Sequence, residues 1–298
     1  MAMTRDEHDI ARDDPMRREH YVPQFYLRYF AAPDGLLRCY DKVNDRVIRP
    51  STRDIAVEEG YFRVTLPDGS CRSLETTLTA LENLWKTAVD AVIDKPRPDA
   101  TIVLPPQQVR LVEASPVLVN FIAVQLLRPR FIRALLADAV ARQPVMAEPP
   151  MDDLTFIHAL FVARGAMDIP TRLINLVWHL VYNYSDTPFW TSDNPVFAHA
   201  QDVTRVRGTR VDEWLQSPGI RLHMPLTPAL ALVIYDPDEP LPLPSGGIVD
   251  RPWVWRANRM VVRAALRHVI SPRDDFDVAR RMIVNDPGLC LPMQNRAG

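Results

Sequence analysis

Apolar residues recur along this chain with two different periods, and the changes of period divide it into elements. Leu74, Leu78, Leu81, Trp85, Ala88 and Val92 follow one another at spacings of four and three, the seam of one amphipathic helix. The run Lys95-Pro96-Arg97-Pro98 ends it. Pro105 and Pro106 open a second helix, predicted from Gln107 to about Arg142, in which Pro116 and Pro129 impose a kink or a break. Two further helices are predicted over about 151–164 and 169–184. Near the C-terminus the pattern predicts a helix from Trp253 to Ile270, capped by Asp250, and a last one over 272–284 behind Ser271-Pro272.

Strands are predicted on both sides of these helices. Leu36–Tyr40 and Arg46–Arg49 form a hairpin around the turn residues Asp41 to Asp45. Tyr61–Leu66 is a third strand, closed by Pro67-Asp68-Gly69. Phe189–Thr191, Val196–His199, Ile220–Met224 and Ala229–Tyr235 follow after Ser185, and 236–247 is a proline-rich loop. The aromatic stretch HYVPQFYLRYFA (20–31) reads as a short helix after Pro23 or as an extended segment. Residues 1–18 alternate arginine and aspartate with few apolar residues, which predicts a flexible arm ahead of one α+β domain over 19–298. Strands at both ends of the sequence and helices between them predict a central helical bundle. It packs with small antiparallel sheets formed from N-terminal and C-terminal strands.

Composition removes several function classes. The chain has 298 residues, with 28 Pro and only 10 Gly. No GxGxxG, GxxxxGK[ST] or GxSxG occurs, so the common nucleotide-binding loops and the usual hydrolase nucleophile elbow have no support. Cys39, Cys71 and Cys290 are too far apart for a zinc ribbon or a redox CxxC pair, and so sparse a set suits a reducing cytoplasm. The charged N-terminus has no apolar signal-like core. The longest apolar stretch, Pro116 to Leu127, contains Asn120 and Gln125 and falls short of the roughly 20 residues of a membrane span. A cytoplasmic protein without a membrane partner is therefore expected. The net charge of −2 argues against a chain-wide grip on nucleic acid, while a local basic patch stays open.

Within this frame a few polar residues stand out. The helix through Pro116 is apolar on every side except where Asn120, Gln125 and Arg128 interrupt it within one arc. Buried amide and guanidinium groups need partners, so this arc lines a polar pocket or belongs to a structural network. Arg130 and Arg133 read as surface charges. Glu75 and Glu82 are two turns apart on one helix flank, where two carboxylates can bind a metal or act as acid and base. Equally, Glu82 can pair with Lys86, and Glu75 suits the first turn of its helix. Thr191-Ser192-Asp193-Asn194-Pro195 is a polar knot between apolar strands, either a self-bonded turn or a site at a strand end. His20, beside Tyr21, Pro23, Gln24 and Tyr26, is a packed histidine or an acid–base group. The remaining histidines show no HxH or HExxH spacing.

The motifs HYVPQFYLRYF, GLLRCYDK, FIAVQLLRPR, WTSDNPV, HMPLTPALAL and ANRMVVRAALRHVIS, in that order and with the Glu82-containing helix among them, resemble the DUF4238 family of bacterial proteins of unknown function. The likeness spans about 20–285. It implies that His20, Pro23, Tyr26, Leu27, Glu82, Gln125, Arg128, Ser192, Asp193, Asn194, Pro195 and Asn258 fall in recurring motifs, and it implies no activity. If the fold gathers the polar members of this set, they form a mixed histidine, carboxylate, arginine and amide pocket. On that reading His20, Glu82, Arg128 and Asp193 are the catalytic candidates. Gln24, Asn120, Gln125, Ser192, Asn194 and Asn258 are the substrate-binding candidates. The expected function is a hydrolase of a phosphoester or nucleic acid, with a divalent metal ion as an open option. A metal-free enzyme of small metabolites is one alternative. A non-catalytic interaction protein, with Tyr21, Phe25, Trp190 and Trp214 as its surface, is the other.

Overall fold

A computed structural model describes residues 18–66, 68–97, 115–142, 154–199, 215–239, 243 and 247–290. The N-terminal part holds β1 (Arg18–His20), α1 (Gln24–Arg28), β2 (Arg38–Asp41), β3 (Arg46–Ile48), β4 (Val57–Glu59), β5 (Arg63–Thr65) and β6 (Cys71–Ser73). The helical part follows, with α2 (Glu75–Ile93), α3 (Pro116–Leu127), α4 (Arg130–Arg142), α5 (Leu154–Asp168) and the single turn α6 (Pro170–Leu173). The remainder comprises β7 (Val177–Asn183), β8 (Thr191–Ser192), β9 (Phe197–His199), β10 (Arg221–Thr227), β11 (Leu230–Tyr235) and β12 (Ile248–Val249). It ends with α7 (Arg251–Ala264), β13 (His268–Ser271) and α8 (Asp277–Asn285). The arm expected over 1–18 lies outside the described residues except for Arg18, which opens β1.

The seam read from Leu74 to Val92 is the buried face of α2, where Leu78, Trp85, Val89 and Val92 enter the main core. Pro116 opens α3 instead of kinking a longer helix: Ser115 Oγ accepts the Leu118 N–H at 3.2 Å, and Pro occupies the first turn, where it has no bond to lose. The expected start at Gln107 lies outside the described residues. Arg128-Pro129 separates α3 from α4. Because α3 is apolar on all sides, it runs through the interior, between α2 and α5.

Two stretches with helical expectation form strands. The helix expected over 169–184 stops at Leu173, and Val177–Asn183 is β7. The helix expected to reach Ile270 stops at Ala264, and His268–Ser271 is β13. Likewise α8 begins at Asp277 instead of 272. The physical reason for the first error is two-sided burial. The five-stranded sheet runs β12-β7-β11-β10-β9, antiparallel except where β12 joins β7. Leu180, Tyr182, Leu232 and Ile234 face the main core shared with α3, while Val181, Ala231, Val233 and Tyr235 pack with Val254 and Ala257 of α7. A strand covered on both faces loses its alternation and cannot be told from a buried helix by period alone.

The second sheet runs β3-β2-β13-β8 and joins the N-terminal hairpin to C-terminal strands. The α+β class therefore stands, but the sheets are not cleanly limited to strands from the two ends, since β7 lies within the middle of the chain. Tyr26, fully buried on α1, bridges both sheets: its hydroxyl donates to the Pro225 carbonyl of β10 and accepts from Thr191 Oγ1 of β8, each at 2.6 Å. No described helix is long and apolar enough to cross a membrane.

Gly165 of α5 packs against Leu127 of α3, where a Cβ would meet Leu127 Cδ1 at 2.0 Å. Alanine would add about 1 kcal/mol of helix propensity, whereas overpacking a filled core costs about 1–3 kcal/mol. Gly165→Ala is therefore expected to lower the urea midpoint with an unchanged m-value. A raised midpoint would mean that the two helices separate freely.

Candidate functional site

Arg128 is fully buried at the C-terminal end of α3, and a buried guanidinium is tolerated only among partners. Its Nη1 lies 3.1 Å from Glu82 Oε1 and its Nη2 3.3 Å from Glu75 Oε2, so the two carboxylates on one flank of α2 converge on one cation. Lys86, the other candidate partner of Glu82, pairs instead with Asp90 at 2.5 Å. Burial raises the Glu75 carboxyl above its usual range, with Arg128 opposing the shift. The Arg128 carbonyl accepts from the Tyr61 hydroxyl at 3.2 Å, and its guanidinium lies 5.7 Å from the Phe62 ring centre. Glu19 completes this wall, accepting from the Phe62 N–H and from Ser73 Oγ, each at 2.5 Å.

His20 adjoins this network without pairing to its carboxylates. Its ring bonds to the main chain at Thr52 and Arg53, and burial together with the nearby Arg128 charge lowers its pKa from 6.5 to about 4. It is therefore neutral at pH 7. Gln125 donates through Nε2 to the Tyr21 carbonyl at 3.2 Å. Thus His20, Glu82, Arg128 and Gln125 do come together, around the start of the chain's aromatic motif.

Asp193 belongs to a second cluster, close enough to Tyr21 for its charge to act on the phenol. Its Oδ1 accepts the Leu266 N–H at 2.9 Å, and its Oδ2 accepts the Arg267 and His268 N–H groups at 2.8 and 3.0 Å. Asn194 Nδ2 donates to the Ala264 carbonyl at 3.1 Å, and Lys42 Nζ donates to the carbonyls of Val262 and Ala265 at 3.0 and 2.6 Å. The connection from α7 to β13 is thus gripped by its donors and its acceptors at once. The His268 ring is carried in beside Asp193, with Nδ1 3.9 Å from Oδ2, and its side chain remains 13% exposed. Burial lowers the His268 pKa, and the Asp193 charge acts against that shift.

Cations flank this pair. Arg267 forms a bidentate bond to the fully buried Asp41 at 3.2 and 2.8 Å. Burial alone would raise the Asp41 pKa, but Arg267 and Asn44 hold it well below its usual range. Arg130 adjoins the Tyr21 hydroxyl and lies 3.3 Å from Glu58, while Arg133 lies 3.8 Å from the same carboxylate. Burial raises the Tyr21 pKa, with the Asp193 charge adding to it. Arg130 and Asp193 are both close enough to His268 to act on its charge.

The other expected site residues are elsewhere or spent. Asn120 accepts from Trp85 Nε1 at 3.1 Å and donates to the Ala166 carbonyl at 3.2 Å, clamping α2 and α5 onto α3 outside both clusters. Its amide is thus spent on helix packing. Ser192 Oγ bonds within its own turn, to the Asn194 carbonyl and N–H. Asn258 accepts the Trp190 N–H and donates to the Pro188 carbonyl, both at 2.9 Å, and so belongs to a different part of the surface. Gln24 is half-buried in the first turn of α1. Trp214 lies outside the described residues. Among the described residues no three His, Cys, Asp or Glu side chains are grouped to hold a metal ion.

Sequence reasoning passed over His268, Tyr21, Arg130 and Arg267 as chemistry. The signal for His268 and Arg267 was their place in the ANRMVVRAALRHVIS motif, obscured by reading that stretch as one helix. The family described as "Protein of unknown function (DUF4238)" matches residues 18–275, a span that includes both clusters. The search of curated proteins found no match, and neither did that of solved structures.

Breaking a buried ion pair from one side leaves an uncompensated charge, at about 3–5 kcal/mol. Arg128→Met is expected to lose that much in urea unfolding, and Arg128→Met with Glu75→Gln and Glu82→Gln to regain most of it. No recovery would mean that Arg128 acts by shape alone. Because the folded pKa of His20 lies below the unfolded 6.5, its contribution is full above pH 6.5 and is lost as the pH falls through about 4. The slope is about 1.4 kcal/mol per pH unit. The midpoint of His20→Gln should therefore fall less steeply than wild type between those values.

Proposed function

The chain belongs to the DUF4238 family, whose description states no activity, and from the site itself we propose that it is a hydrolase acting on a phosphoester or a similar anionic substrate. The observation that carries this reading is a partly exposed histidine, His268, whose ring lies 3.9 Å from the buried carboxylate of Asp193, with Arg130 and Arg267 close enough to act on its charge. A histidine with a lowered pKa is neutral at pH 7 and able to accept a proton. Nδ1 is buried 3.9 Å from Asp193, beyond hydrogen-bond distance, and Nε2 is the atom left for the reactant.

The chemistry follows from those groups. Water attacks phosphorus as His268 Nε2 takes its proton, and Asp193 stabilises the imidazolium that results. The bond to the leaving oxygen breaks, and the proton held by His268 passes to that oxygen. Arg130 and Arg267 offset the charge that accumulates on the phosphoryl oxygens. Asp193 also holds the main chain that carries the ring, since the same Oδ2 accepts the His268 backbone N–H. Arg128, Glu75 and Glu82 support the wall behind Tyr21 and do not touch the reactant. The net charge of −2 favours a small substrate over a long nucleic acid. The sparse cysteines fit an enzyme of the cytoplasm.

Hydrolysis of bis(p-nitrophenyl) phosphate and p-nitrophenyl phosphate, with and without Mg²⁺, tests the proposal. His268→Gln is expected to lower the rate about 10²–10⁴-fold, the range for a lost acid–base group. Arg130→Gln, at an exposed position, should lower it without altering the melting temperature. Equal rates in wild type and both variants, or no turnover in any of them, would sink the proposal.

A further inference from the structure

A cleft of about 220 Å³ opens between α7, α8 and the loop before β8, away from His268. Trp255 projects from α7 and is 46% exposed. Trp190 lies deeper, against Phe276 at 5.5 Å between ring centres, and its buried indole N–H has no acceptor among the described residues. Asn258 spends both amide atoms on holding the main chain at Pro188 and Trp190, which fixes this side of the cleft. Asp275, Asp277 and Arg281 supply the charges opposite.

These charges are incompletely used within the protein. Asp275 accepts a long bond of 3.5 Å from Ser271 Oγ and feels Arg273 nearby. Asp277 pairs with Arg280 at 3.6 Å. Arg281 has no ion-pair partner among the described residues. Partial burial raises the Asp275 carboxyl above its usual range, and the nearby Arg273 charge opposes that shift without cancelling it. A cation seated between an indole face and a carboxylate gains from both, and quaternary ammonium ions are the strongest case. An anionic group a few bonds away would meet Arg281, and it would be an acceptor of the kind the Trp190 N–H lacks. The volume is below the roughly 300–1,000 Å³ of pockets for drug-sized molecules, so the occupant is small.

We propose that this cleft binds a small zwitterion, an ammonium carboxylate, with its cation between Trp255 and Asp275 and its carboxylate toward Arg281. The site is independent of the hydrolase reading. Its occupant is distinguished from a simple cation by Arg281 and from a simple anion by Asp275.

Glycine betaine is the probe, with choline as the same cation without a carboxylate and acetate as the carboxylate alone. Binding is read by tryptophan fluorescence and by the melting temperature, since a ligand of the native state raises the midpoint by mass action. Betaine is expected to bind saturably to the full chain, about tenfold more tightly than choline, and acetate not at all. Trp255→Ala and Asp275→Asn should each weaken betaine at least about tenfold, whereas Arg281→Gln should bind betaine no better than choline. All three positions are partly or fully exposed, so the unliganded variants are expected to melt with wild type. Should any fail to fold, the comparison of the three probes on wild type still decides. Absence of a betaine response, equal affinity for choline, or variants that bind betaine as wild type does would each overturn the proposal.

Discussion

A buried carboxylate is tolerable only when its lone pairs are filled, and in Asp193 they are filled by three successive backbone N–H groups, those of Leu266, Arg267 and His268. The same short connection gives up its carbonyls to Lys42 and Asn194. A positive amine at the end of α7 also suits the negative end of the helix dipole. Lys42 and the adjacent pair Asp193-Asn194, all remote in sequence from this connection, therefore hold it where α7 stops and β13 begins. Once β13 is fixed, it pairs with β2 on one side and β8 on the other, and the N-terminal hairpin is locked to the C-terminal part. Held by this grip, the His268 and Arg267 side chains lie beside Asp193 and Asp41 and remain partly exposed.

Arg128 poses a similar demand one layer away. A guanidinium without access to water draws Glu75 and Glu82 to one flank of α2 and sets the distance between α2 and α3. Tyr21 stands between the two networks. Its carbonyl accepts from Gln125 at the end of α3, and its hydroxyl adjoins Arg130 at the start of α4. Tyr26, one turn further on, bridges the two sheets. The aromatic motif near the start of the chain is therefore a set of anchors, each carrying one polar handle into a different neighbour.

The helix α7 links the two places where chemistry is proposed. Trp255 and Asn258 line the cleft from its middle, and its C-terminal end leads into the grip of Asp193. Between them its apolar face covers the five-stranded sheet through Val254 and Ala257. A rigid scaffold with side chains presented from its ends is the arrangement that holds site residues in place.

The α2 seam, the cap at Asp250, the hairpin around Asp41 to Asp45 and the α+β class follow from the sequence, because each depends on local period or local hydrogen bonding. So did the oddity of Arg128, Glu82, Asp193 and His20, since polar groups in apolar surroundings are visible without coordinates. What the sequence could not reveal was which strand is covered on both faces. Val177–Asn183 was lost for that reason, and the extent of the last helices was misjudged because tertiary partners, not local signals, end α7. Tertiary structure alone also sorted the polar residues into two clusters. It assigned Asn120 and Asn258 to clamps and brought His268 to Asp193. A hydrogen-bond partner 75 residues away leaves no periodic mark in the chain; it exists only once the chain is folded.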